Sequence, residues 1–237
     1  MNTFRPRIAL NIDLGELAGE DPELYQAAHW ANIACGGHAG DKESMQRALD
    51  HCHHNGAQPG WHPGYADRES FGRRVLPLPP AQVAEQVLEQ VTRLADLAAE
   101  QGQTLRHLKL HGALYHQVDR EPALAEAVLQ ALTPYLRSDL RVLGPAGHHW
   151  ERRVRAHGCA FVQEAFADRG RQRDADGRWQ LIPRDQPGAV LEDWEHIQDQ
   201  LEQFATESTV GSVCVHGDHA GAAQRALQVR QWLDHAA

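Results

Sequence analysis

The sequence predicts an α/β fold built on a parallel sheet. Three observations carry that reading: seven short runs rich in apolar and β-branched residues, helix-periodic segments between them, and no break in composition along the 237 residues. Runs such as Val213-Cys214-Val215 are apolar without alternation, as in strands covered on both faces. Pattern alone leaves a closed barrel and an open doubly wound sheet both standing.

The elements follow in order. The first strand is expected at residues 7–13, ending before Gly15, with a helix at about 21–29. Residues 31–35 form the second strand. Asp41 then stands as an N-cap, Met45, Ala48, Leu49 and Cys52 share one helix face, and Gly56 is the stop. The third strand covers 57–62, and Pro79-Pro80 opens a helix whose buried stripe is Val83, Val87, Val91, Leu94 and Ala98. The fourth strand (106–111) leads to a helix at about 121–134, and the fifth (141–145) to one at 147–157 that begins near His148-His149. The sixth strand (159–166) runs into a charged segment, Gly170 to Gln180, in which Asp176-Gly177 marks a turn: a long, lid-like loop or hairpin. A helix at 193–206, a seventh strand at 212–216 and a helix at 219–236 complete one domain over 1–237.

Composition narrows the function. Lys+Arg 23 against Asp+Glu 32 gives a net charge of −9, which argues against a nucleic-acid or anionic-membrane partner. No run approaches the roughly 18 apolar residues of a membrane span, and the start lacks the apolar core of a secretory signal. Cys35, Cys52, Cys159 and Cys214 form no CxxC pair, so they read as reduced thiols of a cytoplasmic protein. Neither GxxxxGK[ST] nor a strand-to-helix GxGxxG is present.

The 16 histidines are not scattered evenly in meaning. His51, His53 and His54 fall on a helix surface. Six of the seven strand ends carry a group capable of chemistry, on the edge where parallel α/β folds gather their sites. Strand one delivers Asn11, Asp13 and Glu16, strand two His38 in a glycine-rich turn, and strand three His62. Strand four delivers Lys109 and His111, strand six Glu164 with Asp168 and Arg169 after it, and strand seven His216 and Asp218. Asp13, His38 and His62 are a possible three-ligand set for a divalent metal. The same groups can act without one, a carboxylate as base beside Lys109 and His111. No GxSxG elbow is present.

These residues lie within longer motifs: Asn11-Ile-Asp13-Leu-Gly15-Glu16, the block from Asn32 to Asp41 (NIACGGHAGD), His62-Pro63, Asp67-Arg68-Glu-Ser-Phe71-Gly72-Arg73, His111-Gly-Ala-Leu-Tyr115, Phe166-Ala-Asp168-Arg169 and Val215-His216-Gly217-Asp218. In that order and over about 8–235, they resemble the LamB/YcsF family, the A component of bacterial ATP-dependent 5-oxoprolinase. The resemblance implies a seven-stranded (β/α) TIM-like barrel of the glycoside hydrolase/deacetylase type. It also implies ATP-dependent opening of 5-oxo-L-proline to L-glutamate, with ATP handled with or by partner subunits B and C. Strand-end placement and these motifs together nominate Asp13, Glu16, Lys109, His111, Glu164 and His216 as catalytic. Asn11, His38, His62, Arg73, Arg169 and Asp218 are nominated as substrate-binding. A metal-dependent deacetylase or amidohydrolase acting alone, and a non-catalytic scaffolding subunit, are the alternatives. The chain departs from the family pattern at Leu110 (proline in the family), His116 (asparagine) and Arg171 (tyrosine), the last opening a longer arginine-rich loop that bears on substrate preference.

Overall fold

A computed structural model describes residues 8–145, 149–173, 179–207 and 209–236. The chain alternates strand and helix: β1 (Ala9–Leu14), α1 (Glu23–Ala27), β2 (Trp30–Ala34), α2 (Lys42–Asn55), β3 (Gln58–His62), α3 (Pro80–Glu100), β4 (His107–Lys109), α4 (Gly112–Arg120) and α5 (Pro122–Ala131). After a 3₁₀ turn at Thr133–Tyr135 come β5 (Arg141–Gly144), α6 (His149–Ala156), β6 (Ala160–Phe166), β7 (Arg171–Arg173), β8 (Trp179–Leu181), α7 (Trp194–Thr206), β9 (Val210–His216) and α8 (Ala222–Ala236). Strands β1 to β6 and β9 close into a barrel, and every pairing around it is parallel. Closure decides the question the pattern left open: the fold is a seven-stranded TIM-like barrel. Among the described residues no helix is long and apolar enough to cross a membrane.

Alternation along β1 shows how the barrel is built. Leu10, Ile12 and Leu14 are buried and belong to the apolar core. Asn11 and Asp13 are also buried but point the other way, Asn11 meeting Ser212 on the neighbouring strand β9 and Asp13 meeting Lys109 of β4 across the barrel interior. The interior is therefore polar at this level, and its members bond to one another. Asn32 donates to Asn11 Oδ1 (2.7 Å) and Asp13 Oδ1 (2.8 Å), Asn11 donates to Ser212 Oγ (2.7 Å), and His107 Nε2 lies 2.9 Å from Asn32 Oδ1. Burial, with Lys109 nearby, pushes the His107 imidazole down to about 3, so this ring is neutral.

Two stretches differ from expectation. The chain is already helical at Gly112, well before residue 121, because Gly112 takes a positive φ of 55° and the Ala113 N–H reaches the Gly72 carbonyl at 3.0 Å. Leu114, Tyr115 and Val118 then bury one face of α4, and Pro122 starts α5 as a separate helix. Between β6 and α7, β7 and β8 pair as an antiparallel ladder, so the charged segment is a hairpin; its expected turn at Asp176-Gly177 lies outside the described residues, as does His148. Arg171, at the family departure, packs its guanidinium over the Trp179 and Phe204 rings at 4.2 and 4.4 Å. The other two departures part ways: Leu110 is core and His116 is exposed.

Gly60 of β3 faces the His107 ring so closely that any Cβ there would overlap it. Gly60→Ala is expected to destabilise the protein by about 1–3 kcal/mol through overpacking. Chemical denaturation measures this, and an unchanged midpoint would contradict the tight placement of His107.

Candidate active site

Lys109, on β4, is the hub of the interior. Its ammonium is 2.9 Å from Asp13 Oδ1, 3.2 Å from Asn11 Oδ1 and 3.1 Å from Cys214 Sγ, with Glu164 Oε1 at 3.0 Å. Burial alone would lower the lysine, yet Asp13, with Glu164 beside it, holds it well above its ordinary value. Burial likewise would raise Asp13; His62 and Lys109 more than offset that and hold it well below the usual carboxylate range. Asp13 is thus a buried, ionised carboxylate. Tyr115 and Cys214 lie in the same interior, and burial keeps both in their neutral forms, with the Glu164 charge adding to the effect on Tyr115 and Asp13 adding to it on Cys214.

Above this pair sits a histidine cluster from three strand ends and one loop. Glu16 Oε1 is 3.0 Å from His38 Nε2 and 3.3 Å from His111 Nδ1, and His62 Nε2 is 3.4 Å from Asp13 Oδ2. The His38 and His111 rings stack at 3.6 Å with 4° between planes. Burial first, then the neighbouring imidazoles, push His38 and His111 well below the ordinary value, so both rings are neutral. Glu16 moves the other way: burial and the nearby carboxylates of Asp13, Asp218 and Glu20 push it well above its ordinary value. Phe71, the residue whose carbonyl meets His111 Nε2 at 2.9 Å, has φ of 55°, a left-handed conformation costly for an aromatic residue.

A third group flanks the first two. His216, at the end of β9, has Nδ1 2.9 Å from Asp168 Oδ1, and its backbone N–H donates to Asp168 Oδ2 at 2.8 Å. The carboxylate fixes the tautomer with hydrogen on Nδ1 and leaves Nε2 free. Arg73 pairs with Asp218 at the rim and lies over the Phe71 ring at 4.9 Å.

Asn11, Asp13, Glu16, His38, His62, Lys109, His111, Glu164 and His216 thus converge on one end of the barrel, with Arg73 and Asp218 above them. Arg169 does not join them: its guanidinium donates to the Ala189 and Ile182 carbonyls at 2.8 Å and holds that loop. The expected metal grouping also changes. Glu16, His38, His62 and His111 offer one ligand atom each within 4.8 Å of one another, whereas Asp13 groups with Cys214 and His216. Residues with no role expected from sequence are Asn32, Phe71, Asp168 and Cys214. Asn32, Phe71 and Asp168 stand in the quoted motifs, and the signal for Asp168 was its place two residues past strand six.

The LamB/YcsF family model matches residues 8–237. The crystal structure of a lactam utilization protein from Thermus thermophilus is 30% identical, with a TM-score of 0.86 over 97% of each chain. A beta-mannanase from Streptomyces thermolilacinus, solved with mannohexaose, matches at 12% identity and a TM-score of 0.41 over 87% of this chain and 77% of the other.

Asp168 supplies a pH signature. Burial raises its carboxyl, but the bonds from His216 bring it below its ordinary value. A depressed carboxylate stabilises fully above its unfolded pKa of about 3.9, and that contribution is lost as pH falls through the lower folded value. Asp168→Asn is expected to lose about 1–3 kcal/mol at pH 7, with the gap to the parent narrowing below about pH 4. Thermal melts across pH 3–7 test this, and a gap independent of pH would contradict it.

Proposed function

The chain belongs to the LamB/YcsF family, and from that premise we propose that it opens the lactam of 5-oxo-L-proline to L-glutamate as one subunit of an ATP-dependent 5-oxoprolinase. The observation that carries the reading is the pairing of an ionised buried carboxylate, Asp13, with an imidazole oriented by a second carboxylate, His216 on Asp168. Asp13 and His216 present ligand atoms within 4.8 Å of each other, close enough to serve the two ends of one scissile bond.

In this reading ATP is handled by partner subunits B and C, which agrees with the lack of a GxxxxGK[ST] loop. A partner transfers the phosphoryl group to the amide oxygen, which removes the resonance protecting the ring. Water then adds to the ring carbon while Asp13 takes its proton. Asp13 passes that proton to the free Nε2 of His216, and Asp168 holds the imidazolium so formed; as the carbon–nitrogen bond breaks with its electron pair staying on nitrogen, His216 delivers the same proton from Nε2 to that nitrogen. A second water releases phosphate from the acyl phosphate. Lys109 has its N–H groups committed to Asn11, Asp13 and Cys214, so its part is to hold Asp13 ionised and in place. Arg73, a rim cation resting on Phe71, is the group suited to the substrate carboxylate.

ATP-dependent glutamate formation, assayed with both partners present, tests the proposal. Asp13→Asn and His216→Ala are each expected to lower turnover by about 10²–10⁴-fold. Near-normal turnover in both would contradict a catalytic role and favour a scaffolding subunit. Glutamate formed by the barrel alone, without ATP, would favour a self-sufficient amidohydrolase.

A further inference from the structure

Three short contacts run in series through two imidazoles. The Lys109 carbonyl is 2.9 Å from His62 Nδ1, His62 Nε2 is 2.9 Å from His111 Nδ1, and His111 Nε2 is 2.9 Å from the Phe71 carbonyl. The carbonyls at both ends accept only, so the ring hydrogens at His62 Nδ1 and His111 Nε2 point outward to them. The nitrogens left facing each other across the central contact are His62 Nε2 and His111 Nδ1.

That central gap opens onto further donors. Glu16 Oε1 is 3.3 Å from His111 Nδ1, 3.7 Å from His62 Nε2 and 3.0 Å from His38 Nε2. A tetrahedral ion with bonds of about 2.0–2.2 Å holds its ligand atoms about 3.4 Å apart, a separation bracketed by the 2.9–3.7 Å contacts among these atoms, and the stacked His38 and His111 rings have to tilt apart for both to face one ion. One extra proton fills a single gap among them; a divalent cation satisfies all four at once. The outer nitrogens of His62 and His111 rest on backbone carbonyls, the usual way in which a protein orients ligating imidazoles. His38 Nδ1 is buried with no partner, as befits a ring held chiefly through its other nitrogen.

We propose that Glu16, His38, His62 and His111 bind one divalent transition-metal ion of the zinc type, through three imidazole nitrogens and one carboxylate oxygen. Asp13 is outside the set. The neighbouring cluster of Asp13, Cys214 and His216 has the same compactness, but the Lys109 ammonium lies 2.9 Å from Asp13 and 3.1 Å from Cys214 and repels a second cation. Three nitrogens and one oxygen suit zinc over magnesium or calcium, which prefer oxygen ligands. The bound ion would stand beside Asp13, whose Oδ2 is 3.4 Å from His62 Nε2. The site does not depend on the ring-opening proposal, since its evidence is the convergence of four ligand atoms and not a substrate.

Calorimetric titration of the chelator-treated full chain with Zn²⁺ near pH 7.5 tests this, with Co²⁺ absorption as a second readout. One ion per chain is expected to bind, and Co²⁺ to give the intense visible bands of tetrahedral coordination. His38→Ala and Glu16→Gln should each weaken binding by more than the about 10–100-fold that loss of an orienting partner costs. Asp13→Asn should change it by less than about 10-fold, because it supplies no ligand. Absence of saturable binding by the folded parent chain would overturn the proposal, and that titration decides it even where a variant fails to fold. Binding that survives both His38→Ala and Glu16→Gln, or that is lost only with Asp13→Asn, would overturn the ligand set. Because binding is read without substrate or partners, its outcome is separate from that of the glutamate assay.

Discussion

A lysine and an aspartate buried against each other inside the barrel set the conditions for everything around them. Taking two charges out of water costs several kcal/mol per ion unless their mutual attraction and further hydrogen bonds offset it. Lys109 and Asp13 meet that demand at 2.9 Å, and the neighbours complete it: Asn11 and Cys214 accept from the ammonium, and Asn32 donates to the carboxylate. Each neighbour in turn needs its own partner, which draws in Ser212 and His107. The polar interior is thus one connected network, contributed by the neighbouring strands β9, β1 and β2 and by β4, which the closed strand order places across the barrel from β1.

The chemistry at the mouth follows from that base. An ionised Asp13 biases the rings above it, and backbone carbonyls of Lys109 and Phe71 dictate which ring nitrogens face inward. The Phe71 conformation shows what this orientation costs: a strained backbone is kept where its carbonyl meets His111. Gly72, next in the chain, stands so near His38 and His111 that a side chain there would displace the stacked rings. Loop and barrel are in this way fitted to the same two histidines.

Much of this was legible in the sequence, for identifiable reasons. Strand ends in a parallel α/β fold share one edge, so Asp13, Lys109, His111 and His216 could be placed together before their contacts were known. Their division of labour could not. Whether Lys109 faces a substrate or Asp13 depends on which side of β4 it occupies and on what lies across the barrel. Glu16 groups with His38, His62 and His111, while Asp13 stays 3.4 Å from His62 and pairs with Lys109, a partition no spacing reveals. Arg169 stands in a quoted motif and reads like a ligand-binding cation, yet the loop at 182–189 offers it carbonyls and takes it out of the site. Helix α4 was hidden because its signal is a glycine conformation and a bond to Gly72, distant in sequence.

The dependence of the interior on one ion pair is open to a double-mutant cycle in equilibrium stability, using Lys109→Met, Asp13→Asn and the two combined. Removing Lys109 alone leaves the buried carboxylates of Asp13 and Glu164 without their cation, and loss of one partner of a buried pair usually costs about 3–5 kcal/mol. The combined variant should cost less than the sum of the two single changes by about 1–3 kcal/mol, the range found for residues in direct contact. Additive losses would show that Lys109 and Asp13 are not coupled and that the interior is held together by something else.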